Sequence, residues 1–304
     1  MERSFAFIVG SPRSGTTILE NILNCHDEIA EFYEPYYVWE RFLNVSQNDV
    51  WNPQELTASI ADKIRRDYTL FGKKSKKRLV LDKLPTHSFN IPVIQKVFPS
   101  ACWIHILRDG RDVALSIRKE WHKREKMVQQ KDVLSLLKTT KAMLGRQPFL
   151  RYKAMALSHE LKSSFSLNPK RYFNKSRWEG YAGWGPRFDG WKECLTSHSR
   201  LQFNAMQWVK TVEAVFSSWE KLPEVNKIEV RYENLLSNPR QVLFDILGLL
   251  RCTPTERFFS QIPTLKRDNF NKWEHELTAE EIREIKPILT PMLEKTGYLQ
   301  TSPW

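Results

Sequence analysis

The sequence predicts one α/β domain over residues 1–304, built as a central, mainly parallel sheet between two layers of helices. Three observations carry this expectation. Short apolar runs of strand length recur at Phe5 to Val9, Leu79 to Leu81 and Cys102 to Leu107, each ending in a polar loop. Apolar residues at helical spacing follow the first and third of these runs. Hydrophobic residues make up 41% of the 304 positions, enough to cover a parallel sheet on both faces.

The first strand leads into Gly10-Ser11-Pro12-Arg13-Ser14-Gly15-Thr16-Thr17, after which Ile18, Leu19, Ile22 and Leu23 mark a helix. The second strand ends at Asp82-Lys83-Leu84-Pro85. The third ends at Arg108-Asp109-Gly110-Arg111-Asp112, with Val113, Ala114 and Ile117 continuing as a helix that Asp112 caps. Residues 119–201 differ: they are rich in Lys, Arg, Trp, Tyr and Gly, with helical periodicity only around Val133 to Leu144. This segment reads as an insertion or lid folded over one end of the sheet. A helix from Gln202 to Leu222 then leads to a strand at Ile228-Glu229-Val230 and the segment Arg231-Tyr232-Glu233-Asn234. Asn238-Pro239 suits a helix cap and first helical position, Thr278 to Glu281 a capping box, and Gly297 a helix stop.

No run of 18 apolar residues is present, so no membrane-spanning helix is expected. The apolar start at Phe5 is too short for a secretory leader and reads as the first strand, which favours a cytoplasmic protein. Cys25, Cys102, Cys194 and Cys252 lack zinc-ligand spacing and the density of a disulfide scaffold. Lys and Arg outnumber Asp and Glu 47 to 35, a net charge of +12. The basic clusters Lys73 to Arg78 and Arg118 to Lys126 fit a polyanionic ligand, whether nucleotide, nucleic acid or acidic glycan, and equally a solvated surface.

Two loops narrow that choice. Gly10 to Thr17 has P-loop spacing and opens a helix, where unpaired N–H groups favour an anion. Thr16, however, occupies the position where an NTPase carries the lysine that reaches the β- and γ-phosphates. Arg13 supplies a charged fork within the loop instead. At the third strand end, Arg108 and Ser116 can converge on one phosphate, although taken alone Arg108, Asp109, Arg111 and Asp112 read as a surface ion-pair turn.

These segments together resemble the sulfotransferases. Gly10 to Thr17 is similar to their 5′-phosphosulfate loop, and Phe98 to Ser116 to their 3′-phosphate motif. The Pro-Arg-Ser-Gly-Thr-Thr spelling looks like the Golgi carbohydrate and tyrosylprotein branch and its bacterial relatives. Asp82-Lys83-Leu84-Pro85, Trp184 to Arg187, Arg231 to Asn234 and Lys272-Trp273 extend the likeness, which is thin between Trp121 and Arg177. The resemblance implies a P-loop-like fold and 3′-phosphoadenosine 5′-phosphosulfate (PAPS) as sulfuryl donor, with no metal. It implies that Arg13, Ser14, Gly15, Thr16 and Thr17 hold the donor's 5′ side, Arg108 and Ser116 its 3′-phosphate, and that Lys272 closes over the nucleotide.

Sulfuryl transfer needs a base for the acceptor hydroxyl and a cation for the departing phosphate oxygen. By the same resemblance, Glu34 in Glu34-Pro35 is the base, with Arg13 and Lys83 the catalytic cations. Glu31 and His87 stay open as alternative bases, while His105 inside a strand reads as a core residue. Trp178, Tyr181, Trp184, Arg187, Phe188 and Trp191 fit either an acceptor wall or a packed lid. The acceptor implied is a carbohydrate or glycoconjugate hydroxyl, the alternative a tyrosine or small phenol. A P-loop kinase and a polyanion-binding module are the rival classes; no nucleic-acid motif of defined spacing supports the latter.

Overall fold

The computed structural model describes residues 4–43, 47–129, 178, 183–266 and 269–304, with 124–129 described as backbone alone. Five strands form one sheet in the order β2-β3-β1-β4-β5. They are β1 (Ser4–Val9), β2 (Ile29–Glu31), β3 (Leu79–Asp82), β4 (Cys102–Leu107) and β5 (Lys227–Arg231). Every neighbouring pair is parallel. The expected parallel sheet is therefore present, with the short β2 added at one edge. All its strands end at one side, so the loops after Val9, Glu31, Asp82 and Leu107 share the edge where open α/β sheets bind ligands.

Alternation along β1 shows why the sheet needs two helical layers. Phe7 and Val9 point into a cluster with Phe32, Tyr68, Phe71, Phe98 and Trp103. Ala6 and Ile8 point the other way, against Leu19, Ile22, Leu23, Leu243 and Ile246. All of these are buried, as a strand covered on both faces requires. The first layer includes α3 (Ala58–Ser75) and α4 (Ile91–Val97), joined by the short α2 (Tyr36–Trp39). The second includes α1 (Thr16–Leu23) and, after β5, α8 (Tyr232–Ser237), α9 (Pro239–Leu249) and α10 (Glu256–Ser260).

A third cluster gathers α5 (Gly110–Gln129), α6 (Trp191–Ser197), α7 (Arg200–Trp219), α11 (Trp273–Glu276), α12 (Ala279–Lys295) and α13 (Tyr298–Thr301). Trp178, Phe188 and Trp191 belong to it, packed on Trp121 and Phe203. These three side chains are core; they do not face solvent as an acceptor wall would. Arg187 is likewise buried on the carboxylate of Asp49, 2.9 Å away. Tyr181, the helix around Val133 to Leu144 and most of the 119–201 segment lie outside the described residues.

Local signals held where a cap could be read completely. The capping box at Thr278 and Glu281 opens α12, and Gly297, at φ 76°, follows its end. Three expectations change. The seventh helix begins at Arg200, because Ser199 forms a capping box with Gln202. Asn238 makes no side-chain cap bond, leaving Pro239 alone to start α9. Asp112 does not cap α5: Asp109 does so, its Oδ1 accepting the Arg111 N–H at 2.8 Å. Asp112 is freed for a different contact, and Ser116 falls in the second turn.

The basic run after Tyr68 also has a local role. Lys73 and Lys74 occupy the last turn of α3, where positive charge complements the helix dipole, and Lys76 closes it with φ 55°.

Candidate active site

The loop after β1 is fixed from below and left open above. Ser88 Oγ accepts the Gly10 N–H at 2.9 Å and donates to the Gly10 carbonyl at 3.1 Å. Ser14 N–H closes a turn on the Ser11 carbonyl at 3.1 Å. A Cβ on Gly10 would stand 2.4 Å from the Ile106 carbonyl oxygen, so only glycine lets β1 and β4 approach here. Gly15 is left-handed at φ 95°, and a Cβ there would meet the Tyr232 ring at 2.4 Å. The first bond of α1 runs from Leu19 N–H to the Gly15 carbonyl. The N–H groups of Thr16, Thr17 and Ile18 therefore precede the helical ladder and point at the loop. Ser14 Oγ is buried without a hydrogen-bond partner.

Arg108, at the end of β4, is built into the same loop. One terminal nitrogen donates to the Arg13 carbonyl at 3.1 Å; the other donates to the Asn269 carbonyl at 2.9 Å and to Asp112 at 3.2 Å. The guanidinium lies 4.5 Å over the Tyr232 ring, and its Nε has no partner. Burial raises the pKa of Asp112, with Arg108 acting in the opposite direction. Arg13, at φ 70°, sends its side chain across to α5: Nε donates to Ser116 Oγ at 3.1 Å, with Glu120 4.0 Å away. Arg13 thus bridges the first loop to the residue expected on the 3′ side.

The segment carrying Lys272 is docked beside this arm. Asn269 donates to the Tyr232 hydroxyl at 2.6 Å, and the Trp273 N–H donates to Asp112 at 3.1 Å. Arg111, paired with Asp109 at 2.6 Å, stacks 3.9 Å over Trp273 and 5.0 Å over Trp304. It also donates to the Ser302 carbonyl at 2.8 Å. Lys272 itself is half-buried at the start of α11.

On the other side of the loop, Lys83 follows β3 with its side chain 3% exposed. Its ammonium donates to Glu34 Oε1 at 2.8 Å and lies 3.6 Å from Glu20 Oε2. Burial alone lowers the lysine's pKa, but Glu34 and Glu20 outweigh it and hold the pKa above the ordinary value. Glu34, at φ 38°, is the most exposed of the three, its side chain 31% exposed, whereas Glu20 is fully buried. Asp82, next to Lys83 in the chain, faces the core instead. It accepts from Tyr68 and pairs with His87 Nε2 at 2.7 Å, all three fully buried. His87 is enclosed by Phe7, Trp39 and Trp51 and is sealed from an acceptor in this structure. Glu31 is turned away, accepting from Asn24 Nδ2 at 3.0 Å. His105 is a core residue bonded to Glu229 at 2.9 Å, as expected.

Among the described residues, one group of three metal-ligating side chains lies together: His26, Glu28 and Cys252. It stands at the opposite edge of the sheet, where each member is already engaged. His26 spans the Thr253 carbonyl and the Glu28 N–H, while Arg78 holds Glu28 and the Cys252 sulfur. No helix among the described residues is long and apolar enough to cross a membrane.

With this geometry in place, comparison with known proteins is direct. A profile described as the sulfotransferase family matches residues 6–162, more than half of the chain. The chain belongs to the sulfotransferase family. The nodulation protein NoeE of Sinorhizobium fredii (strain NBRC 101917 / NGR234) is 25% identical over 130 residues, 38% of this chain and 31% of that protein. The match thus spans less than a third of the length of that curated relative. The sulfotransferase domain from the curacin biosynthetic pathway superposes with a TM-score of 0.52 at 15% identity, covering 95% of this chain and 98% of its own. The sulfotransferase domain of the Synechococcus PCC 7002 olefin synthase gives 0.50 at 15% identity, covering 94% and 95%. At such identities the two structures establish the fold, a P-loop-like sheet between helices.

Sequence reasoning missed Glu20, Asn269 and the tethering role of Asp112. Glu20 carried a signal: a lone carboxylate among Ile18, Leu19, Ile22 and Leu23, one helical turn after Thr16. Asn269 carried none, since only the tertiary fold brings it to Arg108.

Proposed function

We propose that this chain transfers a sulfuryl group from PAPS to an acceptor hydroxyl. One observation supports the reading above the others: a P-loop without its lysine whose Arg13 reaches Ser116 and whose Arg13 carbonyl holds Arg108. That juxtaposition joins an anion-binding helix start to a second cationic arm on the adjacent strand, as a nucleotide charged at both its 5′ and 3′ positions requires. The unpartnered Ser14 Oγ and Arg108 Nε, with the α1 N–H groups, fit such a ligand.

When bound, the donor supplies the sulfuryl group and a phosphate leaving group. The residues of the chain then divide the remaining work. Gly15, Thr16, Thr17 and Ser14 hold the 5′ side, Arg108 and Ser116 the 3′-phosphate, and Lys272 lies in the segment that covers the nucleotide. Glu34 takes the acceptor's proton as its oxygen attacks sulfur. Arg13 and Lys83 provide positive charge where the departing bridging oxygen becomes negative. The charge already present in these side chains serves the purpose that magnesium serves in NTPases.

Glu34-Pro35 favours a carbohydrate or glycoconjugate acceptor, following the branch of the family with that spelling. The test is incubation of the pure protein with PAPS and, separately, glycans, glycolipids, phenols and tyrosine peptides. Mass spectrometry then reads the gain of one sulfuryl group. Sulfation of phenols or tyrosine peptides alone overturns the acceptor assignment. Absence of calorimetric binding of the bisphosphate product, 3′-phosphoadenosine 5′-phosphate (PAP), overturns the donor assignment.

A further inference from the structure

Lys83 has two carboxylates and the proposed mechanism uses only one. Glu34 reaches it from the turn after β2 at 2.8 Å, and Glu20 reaches it from α1 at 3.6 Å. The three groups form a line from solvent to core: Glu34 is 31% exposed, Lys83 3% and Glu20 0%. An ionised carboxylate at such depth is strongly disfavoured without a positive neighbour, and the ammonium is that neighbour.

We propose that Glu20 is a positioning residue that keeps Lys83 protonated and in place at the moment Glu34 accepts the acceptor's proton. The inference rests on the sulfotransferase reading for its chemistry. Before reaction, two carboxylates and one ammonium leave the cluster one negative charge in excess. The proton leaving the acceptor hydroxyl joins a Glu34 oxygen, the acceptor oxygen bonds to sulfur, and the electron pair of the broken sulfur–oxygen bond stays on the donor phosphate. Glu34 is then neutral and ceases to be a counter-ion. Without Glu20, Lys83 would become an unpaired buried ammonium and would lose its proton just as the leaving oxygen gains charge. With Glu20, the ammonium persists and is released on its Glu34 side toward the reacting atoms. Tyr33 also acts on Lys83; Asp82, its chain neighbour, is engaged by Tyr68 and His87.

The test follows the lysine rather than turnover. Full-length protein is prepared with lysine labelled with carbon-13 at Cε, and the Lys83 resonance is assigned by its loss in Lys83→Arg. Glu34→Gln is a neutral stand-in for protonated Glu34. In that variant Lys83 should stay protonated through the ordinary lysine pKa of about 10.4, whereas in Glu20→Gln/Glu34→Gln it should titrate below it. Release of the proton in Glu34→Gln alone, or identical titration of the two variants, overturns the proposal. If the double variant does not fold, Glu20→Gln/Lys83→Met removes the charge with its partner and should regain the fold. If it too stays unfolded, the ammonium is not what Glu20 serves. Wild-type protein that fails to bind PAP in calorimetry refutes the sulfotransferase reading while leaving the titration to be judged separately.

Discussion

Arg108→Ala separates the donor's two ends. A guanidinium has five N–H groups. Three of the Arg108 bonds go to the protein, at 3.1, 2.9 and 3.2 Å, and Nε is without a partner. One or two N–H groups are therefore left for a 3′-phosphate, and losing a charge-assisted contact costs about 1.5–3 kcal/mol. PAP affinity should fall roughly ten- to a hundredfold more than that of adenosine 5′-phosphosulfate, which lacks the 3′-phosphate. The substitution also strands Asp112 and two carbonyls, so thermal stability should drop, with about 3–5 kcal/mol typical for a broken buried pair. That loss reaches the 5′ loop through the Arg13 carbonyl and weakens both nucleotides alike, so the ratio of affinities is the informative quantity. Isothermal calorimetry on both nucleotides, below the variant's melting temperature, measures it. Equal weakening of the two would refute the assignment of Arg108 to the 3′ end.

Three further outcomes are expected. Glu34→Gln should leave PAP binding nearly intact and cut turnover by about 10²–10⁴-fold, the usual loss for a general base, while Glu31→Gln does far less; the reverse order in steady-state kinetics moves the base to Glu31. Transfer should survive exhaustive chelation, because Arg13 and Lys83 already carry the needed charge; loss restored only by magnesium would point to kinase-like chemistry. Burial raises the Cys252 thiol from 9.0 to about 11, so in that range the unfolded chain ionises while the fold does not. Stability relative to Cys252→Ala should be constant at lower pH and fall between about pH 9 and 11, and a constant gap in urea titrations across that range would contradict it.

The sheet was legible because each of β1, β3 and β4 is a mostly apolar run followed by a chemically distinctive loop. β2 is only Ile29-Ala30-Glu31, too short for periodicity to announce. The loop residues could be read from the chain because a glycine-bearing loop between a strand and a helix start is a local pattern, although the neighbours that exclude a Cβ at Gly10 and Gly15, Ile106 and Tyr232, are distant in sequence. Trp178, Phe188 and Trp191 could not, because the same residue types suit a sugar-facing surface and a core, and burial alone distinguishes them. Glu20 and Asn269 escaped for a related reason. Their partners lie 63 residues away at Lys83 and 161 residues away at Arg108, and no local pattern encodes such pairings.

Arg111 lies over both Trp273 and Trp304, whose rings meet edge to face, and so ties the Trp304 segment to the one proposed to cover the nucleotide. A change at Trp304, such as Trp304→Ala, would therefore be felt through Arg111 and Trp273 at Asp112 and Arg108.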